Sequence, residues 1–204
     1  MRAEIAWTLV ALGIGVVVVR RRSIAVALVT AQALLLAVAA VGEGASADEI
    51  IAAAMLALRG VVLAGLFLLL VRRTRETRPV RAGVAPLARA AAAVVLALAL
   101  VWLVPPLGLD TLAAERATLS LVAIGLVTVA TRRATLFQVL GIVLVENGLA
   151  LAALALPGTS SLAIEIGVAV DLLLVAVVAG VFHERIFAEF GAGDSAVLRS
   201  LRDN

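Results

Sequence analysis

Gln138-Val139-Leu140-Gly141-Ile142-Val143-Leu144-Val145-Glu146-Asn147-Gly148-Leu149 sets a carboxylate beside an amide inside a run that is otherwise apolar from Leu136 to Leu156. About twenty apolar residues suffice to cross the roughly 30 Å hydrocarbon core of a bilayer as a helix. Glu146 lies ten residues from either end of that run, which places it near mid-depth. An ionised side chain there costs at least about 2.5–3.5 kcal/mol. Such an acid must be neutral, paired or used.

The rest of the chain fits the same reading. It has 204 residues, 64% of them hydrophobic, and a mean hydropathy of +1.17. Soluble domains are about 45–50% apolar, so an integral membrane protein is expected. All 17 basic residues are arginine, there is no Cys and no Tyr, and the single histidine is His183. The composition excludes a lysine Schiff base, a cysteine redox centre or iron–sulfur cluster, and a bis-histidine haem. No cofactor and no metal site is expected on this chain. A pI near 11.1 invites a nucleic-acid reading, but the arginines fall between apolar runs, where they set membrane orientation.

Seven apolar runs follow one another: 5–19, 24–41, 50–71, 88–104, 117–130, 136–156 and 162–187, the fifth short and expected to begin nearer Leu112. The first differs from a cleaved signal peptide because Arg20-Arg21-Arg22 follows it where a signal would carry its charge in front. Arginine crowds the breaks after runs one, three and five and the tail after run seven, while the alternate breaks are acidic or neutral. The positive-inside rule then gives seven transmembrane helices, N-terminus out and C-terminus in, an all-α integral membrane fold. Pro79 and Pro86 mark the basic break from Arg72 to Arg89 as a non-helical cytoplasmic linker, a surface for anionic lipid or a neighbouring subunit. The organisation expected is a four-helix region over 1–110, a three-helix region over 111–190 and a cytoplasmic tail over 191–204. No internal repeat or broken helix of the carrier type is evident.

Five ionisable residues are candidates for proton transfer: Arg59, Glu146, Glu165, Asp171 and His183. Arg59, Glu146 and Asp171 each fall near the middle of a run. Desolvation raises the pKa of a carboxyl and a nearby arginine lowers it, so a carboxylate balanced between the two suits a relay. The bland alternative is an Arg59–carboxylate pair that only holds helices together, or an Arg59 that snorkels to an interface. Glu165, near the outer surface, also reads as a helix-start acid. His183 closes the seventh run, as an entry group for protons or as an ordinary interfacial residue. On the sixth run, Gln138, Gly141, Val145 and Gly148 form one stripe suited to a close helix neighbour, and at about 100° per residue Glu146 points away from it. Trp7 and Trp102 stand near the outer ends of their runs as interface anchors.

The Q-x-x-G-x-x-x-x-E-N-G core at Gln138–Gly148, the E-x-G-x-x-x-D pattern at Glu165, Gly167 and Asp171, and L-R-x-L-R at Leu198–Arg202 resemble the hydrogenase-4 component E family. Those are membrane subunits of formate hydrogenlyase-like, group 4 [NiFe]-hydrogenase complexes. The resemblance covers about the last 75 residues; the first four runs match only in length and hydrophobicity. The last three spans of that family look like the K subunit of complex I and the C subunit of Mrp-type antiporters. The resemblance implies that Glu146 occupies the position of a glutamate on the hydrophilic axis of the membrane arm, with Asp171 where relatives carry a second glutamate. It implies a non-catalytic subunit of a complex I-like redox complex, in the cytoplasmic membrane of a bacterium or archaeon, with antiporter-like and quinone-subunit-like partners and no nucleic acid. A structural scaffold and, less favoured, an independent ion transporter are the alternatives.

Overall fold

The computed structural model describes residues 2–41, 47–73, 84–156 and 180. These contain six long helices: α1 (Ala3–Val18), α2 (Arg22–Ala40), α3 (Ala47–Arg73), α4 (Pro86–Leu103), α5 (Leu112–Thr131) and α6 (Thr135–Leu154). No strand occurs among the described residues. Helices α2 to α6 are long and apolar enough to cross a membrane, whereas α1 has 16 residues. At 1.5 Å per residue α1 is roughly 24 Å long. It is nonetheless part of the packed bundle, since Leu9 and Val16 are completely buried. Apart from Gly180, the seventh run lies outside the described residues, and with it Glu165, Asp171 and His183.

The fifth run does begin early. Thr111 caps α5 by accepting a hydrogen bond from the Ala114 amide at 3.2 Å, so the helix takes in Leu112 to Thr131. The basic break after the third run is shorter than its prolines suggest. α3 continues through Arg73, and Pro86 is the first residue of α4. Proline is tolerated there because an amide in the first turn has no helical partner to lose. Arg89 is therefore a helical residue of α4 and not a linker residue.

Two close crossings fix the bundle. A Cβ on Gly125 would stand 2.6 Å from the Gly141 carbonyl oxygen and 2.8 Å from the Val145 amide, so α5 and α6 touch backbone to backbone. Gly148 extends the same seam, where a Cβ would lie 3.1 Å from Leu121. The stripe read on α6 thus packs against α5, and Glu146 faces elsewhere. A Cβ on Gly60 would meet the Ala33 Cβ at 2.7 Å, which draws α3 onto α2 and sets the position of the next residue back, Arg59. The main core joins Val16, Val26, Leu63, Ala93, Ile124 and Leu140, one from each helix.

The turns segregate by chemistry. The turn between α5 and α6 lies against the C-terminal end of α1, because Arg132 Nη2 donates to the carbonyls of Val16 (3.2 Å), Val17 (2.9 Å) and Val19. At the other end the Asp110 amide donates to the Ala155 carbonyl at 2.8 Å. Trp7 and Trp102 belong to that second end, and both are exposed.

Candidate functional site: a polar chain through the bundle

Within this apolar interior, four helices contribute to one chain of hydrogen bonds. Gln32 of α2 donates from Nε2 to the Leu9 carbonyl of α1 at 2.6 Å. Its Oε1 accepts from Asn147 Nδ2 of α6 at 3.0 Å. Asn147 Oδ1 accepts from Arg59 Nη2 of α3 at 2.9 Å. Arg59 Nη1 in turn donates to Glu146 Oε1 at 3.1 Å, an ion pair. Gln32 and Asn147 are fully buried, and the Arg59 and Glu146 side chains are 4% and 12% exposed.

The sequence explains why these groups meet. Successive residues on a helix differ by about 100°, so Glu146 and Asn147 present two acceptors side by side, which suits the two terminal nitrogens of a guanidinium. The glycine seam holds α6 against α5 and leaves the Glu146–Asn147 side to α2 and α3. Gly60 then brings Arg59 close. A small cavity of about 10 Å³ lies beside the chain, lined among others by Ala33, Gly60, Leu63, Val143 and Asn147. That is room for about one water molecule.

Both charges are out of water, so their mutual attraction is strong but offset by desolvation. Leaving either one alone is the costly state. The chain is also directional: it begins at a protonatable carboxylate, passes a fixed cation and two amides, and ends on a backbone carbonyl. Only Glu146 among its members gains and loses a proton in ordinary chemistry. Among the described residues no group of three or more His, Cys, Asp or Glu stands ready to hold a metal ion.

Of the five residues singled out from the sequence, Arg59 and Glu146 are brought together. Glu165, Asp171 and His183 belong to the undescribed part of the chain. The two amides were not singled out as functional. Asn147 stood in the quoted stretch, and Gln32 is the sole amide in its apolar run. A polar side chain stranded in such a run was the available signal. A second set of inward-turned residues was also missed. Arg89 and Arg132, which the sequence places in breaks that set orientation, are 1% and 3% exposed. Arg132 stacks on Phe137, 3.9 Å from the ring centroid, and closes the C-terminal carbonyls of α1.

No family model and no solved structure matches the chain. It is similar to an uncharacterized protein of Mycobacterium tuberculosis strain H37Rv, Rv0085, with 34% identity over 93 residues. The alignment takes in 46% of this chain and 42% of the relative, so the chain spans less than half the length of the protein it matches.

Proposed function

We propose that this chain is a non-catalytic membrane-arm subunit of a complex I-like or group 4 hydrogenase-like redox complex. In this reading it has seven spans with the N-terminus out, and it contributes Glu146 to proton or cation translocation across a cytoplasmic membrane. The observation that carries the reading is the 3.1 Å pair between Arg59 and Glu146, buried in the middle of apolar helices. Buried intramembrane ionisable groups are expensive and mark ion or proton pathways by default. The hydrogenase-4 component E resemblance of the Glu146 stretch points the same way.

The mechanism follows from the pair. In this reading Glu146 passes a proton on as its contact with Arg59 is broken and remade. Asn147 Oδ1 gives the guanidinium a second anchor, so its displacement has a defined return position. A coupled complex drives this exchange through neighbouring antiporter-like and quinone-subunit-like chains, which also supply the catalytic centre and any cofactors. Asp171, Glu165 and His183 would continue the path toward the seventh span.

A scaffold reading is favoured by one specific feature: the Leu9–Gln32–Asn147 part of the chain has no protonatable member and ends on a carbonyl. Replacing Glu146 by Gln in the native complex separates the two. A relay predicts normal co-purification of the partner subunits with pumping reduced by tenfold or more. A scaffold predicts loss of assembled complex with unchanged pumping in what remains. Purification of the chain without redox partners would contradict the proposed assembly.

A further inference from the structure

The arginine-rich end of the bundle is a second concentration of buried charge, and it has no described acid. Arg89 of α4 is 1% exposed, and its Nε and Nη2 have no hydrogen-bond partner among the described residues. Arg132 is 3% exposed; its Nη2 caps α1 while Nε and Nη1 have no such partner. Arg20 is exposed and close enough to act on Arg132. Burial first, and then the nearby Arg89 and Arg20, push the Arg132 guanidinium down to about 9. Arginine gives up its proton with great reluctance, so a counter-charge is what would relieve this load.

The helices add to the same field. The N-termini of α2, α4 and α6 all point to this end, none is closed by a side-chain cap, and none carries an acid in its first turn. Each contributes partial positive charge from its free amides. The acids among the described residues are elsewhere: Glu4, Asp110 and Glu115 at the opposite end, Asp48 and Glu49 at the start of α3 at that same opposite end, and Glu146 in mid-helix. Four buried guanidinium nitrogens without a hydrogen-bond partner among the described residues are costly in an apolar setting. A tetrahedral oxyanion offers several acceptor oxygens to such donors, and arginine forks suit phosphate in particular.

We infer that Arg89 and Arg132, with Arg20 at the exposed side, form a binding site for a phosphate oxyanion at the arginine-rich end of the bundle. The chemistry is that of an anionic lipid headgroup or of free phosphate. Basic recesses between transmembrane helices are places where acidic headgroups seat.

The test uses the full chain, delipidated in neutral detergent, with thermal unfolding as the readout. Three additions are compared at matched ionic strength: inorganic phosphate, phosphatidylglycerol in mixed micelles, and phosphatidylcholine with chloride as the control. Binding at a hundredfold excess over Kd stabilises by about 2.7 kcal/mol, a rise of several degrees for a chain of this length. A rise with phosphatidylglycerol alone supports a headgroup site; a rise of equal size with phosphate supports a small-anion site. Arg89→Gln and Arg20→Gln are expected to weaken the half-saturating concentration by fivefold or more. Arg20, being exposed, is the variant that keeps its fold if Arg89→Gln does not. Arg116→Gln, an exposed arginine of α5 away from this end, is expected to respond as wild type. The inference is overturned if neither anion exceeds the control, if Arg20→Gln responds as wild type, or if Arg116→Gln loses the response as well.

Discussion

Removing Arg59 tests whether the polar chain is a coupled unit. Arg59→Met takes away the Nη1 partner of Glu146 Oε1 and the Nη2 donor to Asn147 Oδ1. Breaking a buried pair by deleting one member costs about 3–5 kcal/mol, because the survivor stays buried. At roughly 2–4 °C per kcal/mol for a chain of this size, the unfolding midpoint in detergent falls by roughly 6–20 °C. Glu146→Met is expected to cost a similar amount by stranding the guanidinium. The double replacement removes both charges and fills the space with apolar atoms, a change that is often close to neutral. What remains is one Asn147 acceptor without its donor, about 1–3 kcal/mol. The double variant should therefore be more stable than either single one. Thermal unfolding of the four proteins in one detergent gives the cycle. A double variant whose loss equals the sum of the single losses would refute the coupling.

Gly125→Ala forces a methyl against backbone atoms at 2.6–2.8 Å and is expected to cost about 1–3 kcal/mol, while Gly65→Ala, with nothing within 4 Å, should be neutral or slightly stabilising; unfolding midpoints decide both. Gln32→Leu removes the bonds to Leu9 and Asn147 and leaves a buried amide N–H unsatisfied, for a loss of about 1–3 kcal/mol. Asn147→Leu removes the second anchor of Arg59, so in the proposed complex it should lower pumping without abolishing it, whereas Glu146→Gln should come close to abolishing it; proton uptake into proteoliposomes separates the two. Arg132→Gln frees three carbonyls at the end of α1, and faster amide exchange over residues 12–19 is the expected sign.

The six described helices, their order and the placement of Glu146 inside one of them are legible in the sequence because each rests on a local property: length of an apolar run, a stranded charge, a stripe at helical spacing. The glycine stripe on α6 and the early start of α5 are of that kind. What a run of letters does not carry is which neighbour a side chain meets. Arg59 is 87 residues from Glu146, and it is the folded bundle, with α3 drawn onto α2 at Gly60 and Ala33, that brings the two together. From the sequence, Arg89 and Arg132 are expected in the breaks between apolar runs, setting orientation. They turn inward because α1 offers Arg132 unsatisfied carbonyls and a ring at Phe137, and because Arg89 belongs to a helix already started at Pro86. Gln32 went unnoticed for the same reason, its partners being a carbonyl 23 residues back and an amide 115 residues on.

The claim on which the functional account turns is that the Glu146 carboxyl changes its protonation during turnover. Infrared difference spectroscopy of the proposed complex, with and without redox substrates, reads this directly in the protonated-carboxyl stretch. The account predicts a carboxyl band that appears with turnover in the wild-type complex and is missing after Glu146→Gln. Identical difference spectra from the two complexes would contradict it.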